Sequence, residues 1–189
     1  MEKILILGQK SLIAKQVVER LKLQTSISVS LLRLKPYGYQ HAQNYLTYLK
    51  GINMIASFLG PMDLDLDFEA LFDAIHRVRP PLKQFLMLSS AGIDHEISGR
   101  MQYPGVTDWK EYLNEQRYAA KVVDEEEIPY TILRPVEIVK SLAKSKPEVI
   151  EEGVPVPAGR VSYQNVAKIA LDVIIQKKYL NQSIAIVDR

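Results

Sequence analysis

The chain has 189 residues, 47% hydrophobic and 24% charged, a length that buries roughly 70% of the unfolded surface and a balance that excludes disordered, collagenous and fibrous classes. Its net charge of +2 excludes a whole-molecule field that would draw nucleic acid or an anionic membrane. With no cysteine it has no disulfide, no thiolate nucleophile and no zinc–thiolate site, so its chemistry must use oxygen, nitrogen or a borrowed cofactor.

Met1-Glu2-Lys3 leads into the apolar run Ile4 to Leu7, which ends at Gly8. The run is too short for a signal-peptide core, and no later stretch reaches the eighteen or so apolar residues of a membrane span. A cytoplasmic protein is expected. The run itself suits a first strand buried on both faces of a parallel sheet. Leu12, Ile13, Val17, Val18 and Leu21 then recur at helical spacing, with Ser11 as N-cap. Ile27 to Leu32 reads as a second strand.

Pro36 to Lys50 carries four tyrosines and receives no element. Ile52 to Leu59, closed by Gly60-Pro61, is a third strand. Asp67 is expected to cap a helix that carries Phe68, Leu71, Phe72 and Ile75 and ends before Pro80-Pro81. Gln84 to Leu88 is a strand that runs into Ser89-Ser90-Ala91-Gly92, Asp108 to Glu126 a helix, and Ile128 to Leu133 a strand closed by Arg134-Pro135. Val161 to Ile175 is a helix capped by Ser162, and Ser183 to Val187 a last strand. This alternation predicts one α/β domain over residues 1–189, with a doubly wound parallel sheet of Rossmann type. Lys144 to Arg160, broken by three prolines and two glycines, is expected to form a small irregular lobe over the strand ends.

A dinucleotide fold needs a tight turn after the first strand, where backbone N–H groups and a helix N-terminus meet the pyrophosphate. Gly8, Lys10, Ser11, Leu12 and Ile13 occupy that turn. Gly8 allows close approach, Lys10 adds charge, and the Ser11 hydroxyl can donate to phosphate. An ordinary strand-to-helix turn has the same residue types. Arg33 and Lys35 follow the second strand without the acid that accepts a ribose 2′-hydroxyl, which favours NADP, with NAD allowed. His41, His76 and His95 lack metal-ligand spacing. Asp63, Asp65 and Asp67 lack the glycine and glutamate of a calcium loop, so no metal site is expected.

The first turn, the strand end at Ser89-Ser90-Ala91-Gly92 and the run Ile128-Pro129-Tyr130-Thr131-Ile132-Leu133-Arg134-Pro135 together resemble the atypical short-chain dehydrogenase/reductases, in particular the NmrA-like NAD(P)-binding members. Val161 to Ala167 is similar to that family's late helix start, with Asn165 where Asp is usual. The resemblance implies a Rossmann fold and an NAD(P) cofactor, with Pro135 near the cofactor. It puts Tyr112 at the position of a general acid and Gln116 at that of the lysine that activates it and holds the ribose. Ser89 and Ser90 fall where hydroxyls reach a nicotinamide or a substrate carbonyl.

Three readings of function follow. One is an NADP-dependent oxidoreductase of a small carbonyl or quinone, in which Tyr112 is the acid and Ser89 or Ser90 orients the substrate. Gln116, in place of lysine, supports the second, a non-catalytic sensor of the dinucleotide. The single glycine of the turn leaves room for the third, an interaction module that has lost nucleotide binding.

Overall fold

The computed structural model describes residues 1–35, 37–143 and 145–189. Pro36 and Lys144, which open the tyrosine-rich stretch and the proline-broken segment, lie outside the described residues. In chain order the elements are β1 (Glu2–Leu7), α1 (Leu12–Leu21), β2 (Ile27–Leu31), β3 (Met54–Ser57), α2 (Leu64–Val78), β4 (Gln84–Leu88), β5 (Ile97–Ser98) and α3 (Trp109–Glu125). They continue with β6 (Tyr130–Pro135), β7 (Glu137–Val139), β8 (Pro147–Ile150), β9 (Val156–Pro157), β10 (Arg160–Ser162), α4 (Tyr163–Gln176) and β11 (Gln182–Asp188).

Seven strands form one sheet in the order β2-β1-β3-β4-β6-β11-β8, all parallel except β8, which runs antiparallel to β11 at the edge. This is the expected doubly wound Rossmann architecture. Alternation along β1 explains the layering: Ile4 and Ile6 pack with α1 and α4 on one face, whereas Leu5 and Leu7 pack with α2 and α3 on the other. The chain leaves β1 for β2 on one side and returns to β3 on the other, so the strand order reverses between β1 and β3. Sheets of this kind hold ligands outside the carboxyl ends of the strands at that reversal.

Among the described residues, the tyrosine-rich stretch covers the second face without an α-helix. It makes two 3₁₀ turns, Gly38–Gln40 and Ala42–Asn44, and buries Tyr45 and Leu49 completely. Tyr45 donates its hydroxyl to the Tyr39 carbonyl at 2.7 Å, and burial raises its pKa.

Two expected boundaries move. The α2 helix begins at Leu64 after Asp63, and Asp67 lies inside its first turn rather than capping it. The reason is the apolar stripe: Leu64, Phe68 and Leu71 face the core, and Asp67 falls on the same face. Strand β6 extends through Arg134 and Pro135, which pair with Ala185 and Ile186. The proline keeps its carbonyl in use, accepting from Ala91 N–H at 2.9 Å. The segment expected to be irregular contains three short strands, β8, β9 and β10.

Asn165 ties this segment to the sheet. Its amide nitrogen donates to the Ser145 carbonyl at 2.9 Å and to Asp188 Oδ1 at 2.7 Å, while Asp188 Oδ2 accepts from Ser162 N–H. An aspartate at 165 would face the Asp188 carboxylate and lose both donations. Asn165→Asp should therefore lower stability by about 1–3 kcal/mol at neutral pH. The like-charge contact raises the new carboxyl's pKa, so the deficit against wild type should shrink as pH falls. Urea denaturation of both proteins at pH 5 and pH 8 measures this, and a pH-independent deficit would exclude the carboxylate contact as its cause.

Candidate functional site

The end of β1 turns sharply at Gly8, whose φ is +71°. A Cβ there would sit 2.2 Å from the Phe58 carbonyl oxygen and 2.7 Å from Leu59 N, so glycine lets the first turn press against the backbone that follows β3. Helix α1 then starts from Ser11, whose Oγ accepts from Ala14 N–H at 3.0 Å as an N-cap. The hydroxyl proton remains available to an anion above the helix N-terminus.

A cleft runs along the carboxyl ends of β1, β3 and β4. Its wider half, about 520 Å³, is lined by Gly8, Gln9, Lys10 and Ser11 on one side and by Leu34, Tyr39, Met62 and Asp67 on the other. The narrower half, about 330 Å³, brings together Ser11, Leu12, Ile13, Ser89, Tyr112 and Gln116, with Lys140 also in its lining. The two halves share Ser11, Phe58, Leu59 and Gly60. Together they are large enough for an elongated ligand laid across the Gly8 turn.

The side chains of the narrow half are not equivalent. Gln116 is 2% exposed; its Oε1 accepts from Ser89 Oγ at 3.0 Å and its Nε2 donates to the Pro61 carbonyl at 3.1 Å. It fastens the end of β4 to the segment after β3. Tyr112 is partly buried and packs against Tyr103 with the rings tilted at 59° and their centroids 5.6 Å apart. Burial pushes the Tyr112 phenol above its ordinary pKa, against a smaller opposing hydrogen bond with Ser90. It therefore stays protonated at neutral pH and can donate its hydroxyl proton. Ser90 is buried, and its Oγ donates to the Ala91 carbonyl at 3.1 Å.

Several sequence candidates stand outside the lining. Ser90 reaches the cleft only through Tyr112. Pro135 is buried within β6. Arg33 and Lys35 are exposed on either side of Leu34, which does line the wider half.

Sequence reasoning missed Gln9, Lys140, Asp67 and Arg134. Gln9 lines the wider half with its Oε1 buried and, among the described residues, without a hydrogen-bond partner; a hydroxyl-bearing ligand would satisfy it. For Gln9 and Lys140 there was no sequence signal. For Asp67 there was one: an acid on the apolar stripe of a helix. Arg134 is a charged residue inside a strand. It is 1% exposed, and its Nη1 bonds Asp94 Oδ2 at 3.0 Å and Glu96 Oε1 at 2.5 Å. Glu96 also accepts from Gly92 and Asp94 N–H, both at 3.0 Å. This cluster fixes the loop that follows Ser89-Ser90.

Comparison with known proteins agrees with the cleft. The family model described as NAD(P)H-binding matches residues 41–177. No curated protein matches by sequence. Among solved structures, a Rossmann-fold NAD(P)-binding family protein from Shigella flexneri is 22% identical with a TM-score of 0.77, over 100% of this chain and 94% of that one. A short-chain dehydrogenase/reductase (wide type) from Veillonella parvula DSM 2008 in complex with NADP is 21% identical, with a TM-score of 0.80 over 99% and 94%. An anaerobillin reductase from Escherichia coli O157:H7 is 14% identical, with a TM-score of 0.76 over 98% and 97%. At these identities the structures establish the fold, whereas the family model covers well over half of the chain. With a glycine turn, a capped helix N-terminus and a two-part cleft at the reversal of a parallel sheet, the chain belongs to the NAD(P)H-binding family of atypical short-chain dehydrogenase/reductase type.

Proposed function

We propose that the protein is a cytoplasmic, NADPH-dependent oxidoreductase of a small carbonyl or quinone substrate. The observation that carries this reading is the junction of the two half-clefts at Ser11, which sets a phosphate-compatible turn beside a pocket holding Ser89, Tyr112 and Lys140. When bound, the nicotinamide cofactor supplies a hydride. The chain would hold it through backbone N–H groups at Gly8 to Ile13, Lys10, the Ser11 hydroxyl and the buried Gln9 Oε1. NADPH is preferred because the loop after β2 offers Arg33 and Lys35 and no acid.

Tyr112 is the proton donor of the narrow half. No cation at Gln116 lowers its pKa, so it donates from the neutral phenol. Lys140 is the lysine of the same half and suits a substrate with an anionic or strongly polarised oxygen. Ser89 is already spent on Gln116 and positions the wall rather than the substrate.

Binding is measured by the change in NADPH fluorescence, and turnover with a panel of carbonyls and quinones. Tyr112→Phe should leave NADPH affinity unchanged and lower kcat about 10²-fold, the low end of what a positioned acid contributes. Turnover unaffected by Tyr112→Phe would remove the acid from the reading. The engagement of Gln116 with Ser89 and Pro61 favours a second reading, a sensor, which tight NADPH binding without turnover on any substrate would select.

A further inference from the structure

A second cavity, of about 540 Å³, is lined by the loop that follows β4 and by the start of α3, and it shares no lining residue with either half of the cleft. Tyr103 lines this cavity and packs against Tyr112, which lines the narrow half, so the pair stands between the two spaces. The Tyr103 side of that wall is fixed. Its hydroxyl donates to the Ala91 carbonyl at 3.3 Å and occupies the place that a Cβ at residue 92 would need, which only Gly92 leaves open.

The lining carries cations and no acid. Arg100 and His95 both belong to it, and Arg100 makes no ion pair among the described residues. His95 Nε2 lies 3.2 Å from Arg117 Nη2. A guanidinium only donates, so Nε2 is the acceptor and the proton of the neutral ring sits on Nδ1. The neighbouring acids are committed elsewhere: Asp94 and Glu96 bond Arg134, and Asp108 Oδ1 accepts from the N–H groups of Lys110 and Glu111 as the cap of α3. The remaining wall is apolar or aromatic, with Met101, Tyr103, Trp109 and Leu113. Lys110 Nζ, 5.6 Å from the centroid of the Trp109 ring, adds positive charge beside it.

These two kinds of surface ask for one ligand with two parts. Inorganic phosphate would use the cations and leave the rings in water, and a neutral ring would do the reverse. A guanidinium fork matches a carboxylate through paired N–H···O bonds, and aromatic walls match the faces of a flat ring. The volume is that of a small-molecule site. We propose that this cavity binds a small planar aromatic carboxylate, held by Arg100 and His95 through its carboxylate and by Trp109 and Tyr103 through its ring. The site is separate from the cleft and does not depend on what the cleft binds.

Cinnamate, its neutral amide cinnamamide and inorganic phosphate are the probes, titrated by calorimetry against wild type and Arg100→Gln, with and without saturating NADPH. Trp109 is the only tryptophan of the chain, so its indole N–H gives a single nuclear magnetic resonance signal that reports on this cavity. Cinnamate should shift that signal saturably in the presence and absence of NADPH, and should bind at least about tenfold more tightly than cinnamamide or phosphate. Arg100 is exposed, so Arg100→Gln removes the charge without touching the core; it should bring cinnamate within about threefold of cinnamamide and leave the amide unchanged. A Trp109 signal that does not move, equal affinity for cinnamate and either control, a preference that survives Arg100→Gln, or displacement of cinnamate by NADPH would each overturn the assignment. Failure of NADPH to bind would overturn the reading of the cleft and leave this site standing.

Discussion

Arg134→Met should lower stability by about 3–5 kcal/mol, because it removes the partner of a buried carboxylate and leaves that charge uncompensated. The Glu96 side chain is only 6% exposed, whereas Asp94 is 43% exposed and can turn to water, so most of the cost falls on Glu96. Two backbone donors, Gly92 and Asp94 N–H, still face Glu96 in the variant, which limits the loss. Against a typical domain stability of about 5–15 kcal/mol the change is large. Adding Glu96→Gln to the variant removes the stranded charge and keeps an acceptor for one of those donors. The double variant should therefore recover part of the loss, and a double-mutant cycle by urea denaturation gives the coupling. An Arg134→Met protein within about 1 kcal/mol of wild type would show that the cluster does not hold the loop. The same loop carries Ala91, whose carbonyl accepts from Tyr103 and from Ser90, so its loosening should also disturb the Tyr103–Tyr112 pair.

The second large effect is expected at the first turn. Gly8→Ala asks a residue with a side chain to adopt φ +71° and places a methyl group 2.2 Å from a backbone oxygen. The left-handed conformation costs about 1–3 kcal/mol and the overpacking about 1–3 kcal/mol more, so a loss of about 2–6 kcal/mol is expected. The obstructing atoms belong to the Phe58–Leu59 backbone, which cannot rotate away as a flexible side chain would. Relief requires β1 and the segment after β3 to separate, and the cleft lies across that junction. NADPH affinity should fall together with stability. Thermal denaturation and NADPH titration of the same preparation check both, and unchanged stability would show that the turn adapts without separating the strands.

The architecture was legible because its signals are local. Continuous apolar runs mark strands buried on both faces, apolar residues at helical spacing mark α1, α3 and α4, and Ser11 and Ser162 cap helices through short-range bonds that sequence spacing already implies. The stretch from 37 to 50 was not legible, since its 3₁₀ turns carry no long period and its order comes from Tyr45 and Leu49, buried in the same cluster as α2 and β1. Of the candidate site, the Gly8 turn was placed by the strand-to-helix pattern and Ser89, Tyr112 and Gln116 by resemblance, and all of them line one cleft.

What the sequence determined by itself is therefore the period of the main strands and helices, and through that the doubly wound sheet and the location of a ligand cleft at its strand ends. What only the tertiary structure decided is how each polar side chain is satisfied. Gln116 is spent on Ser89 and Pro61, Arg134 is neutralised by residues about forty positions away, and Gln9 Oε1 is, among the described residues, buried without a partner. Those outcomes depend on partners distant in the chain that only folding brings within 3 Å or so, and hydrogen-bond energy vanishes over less than the width of one residue.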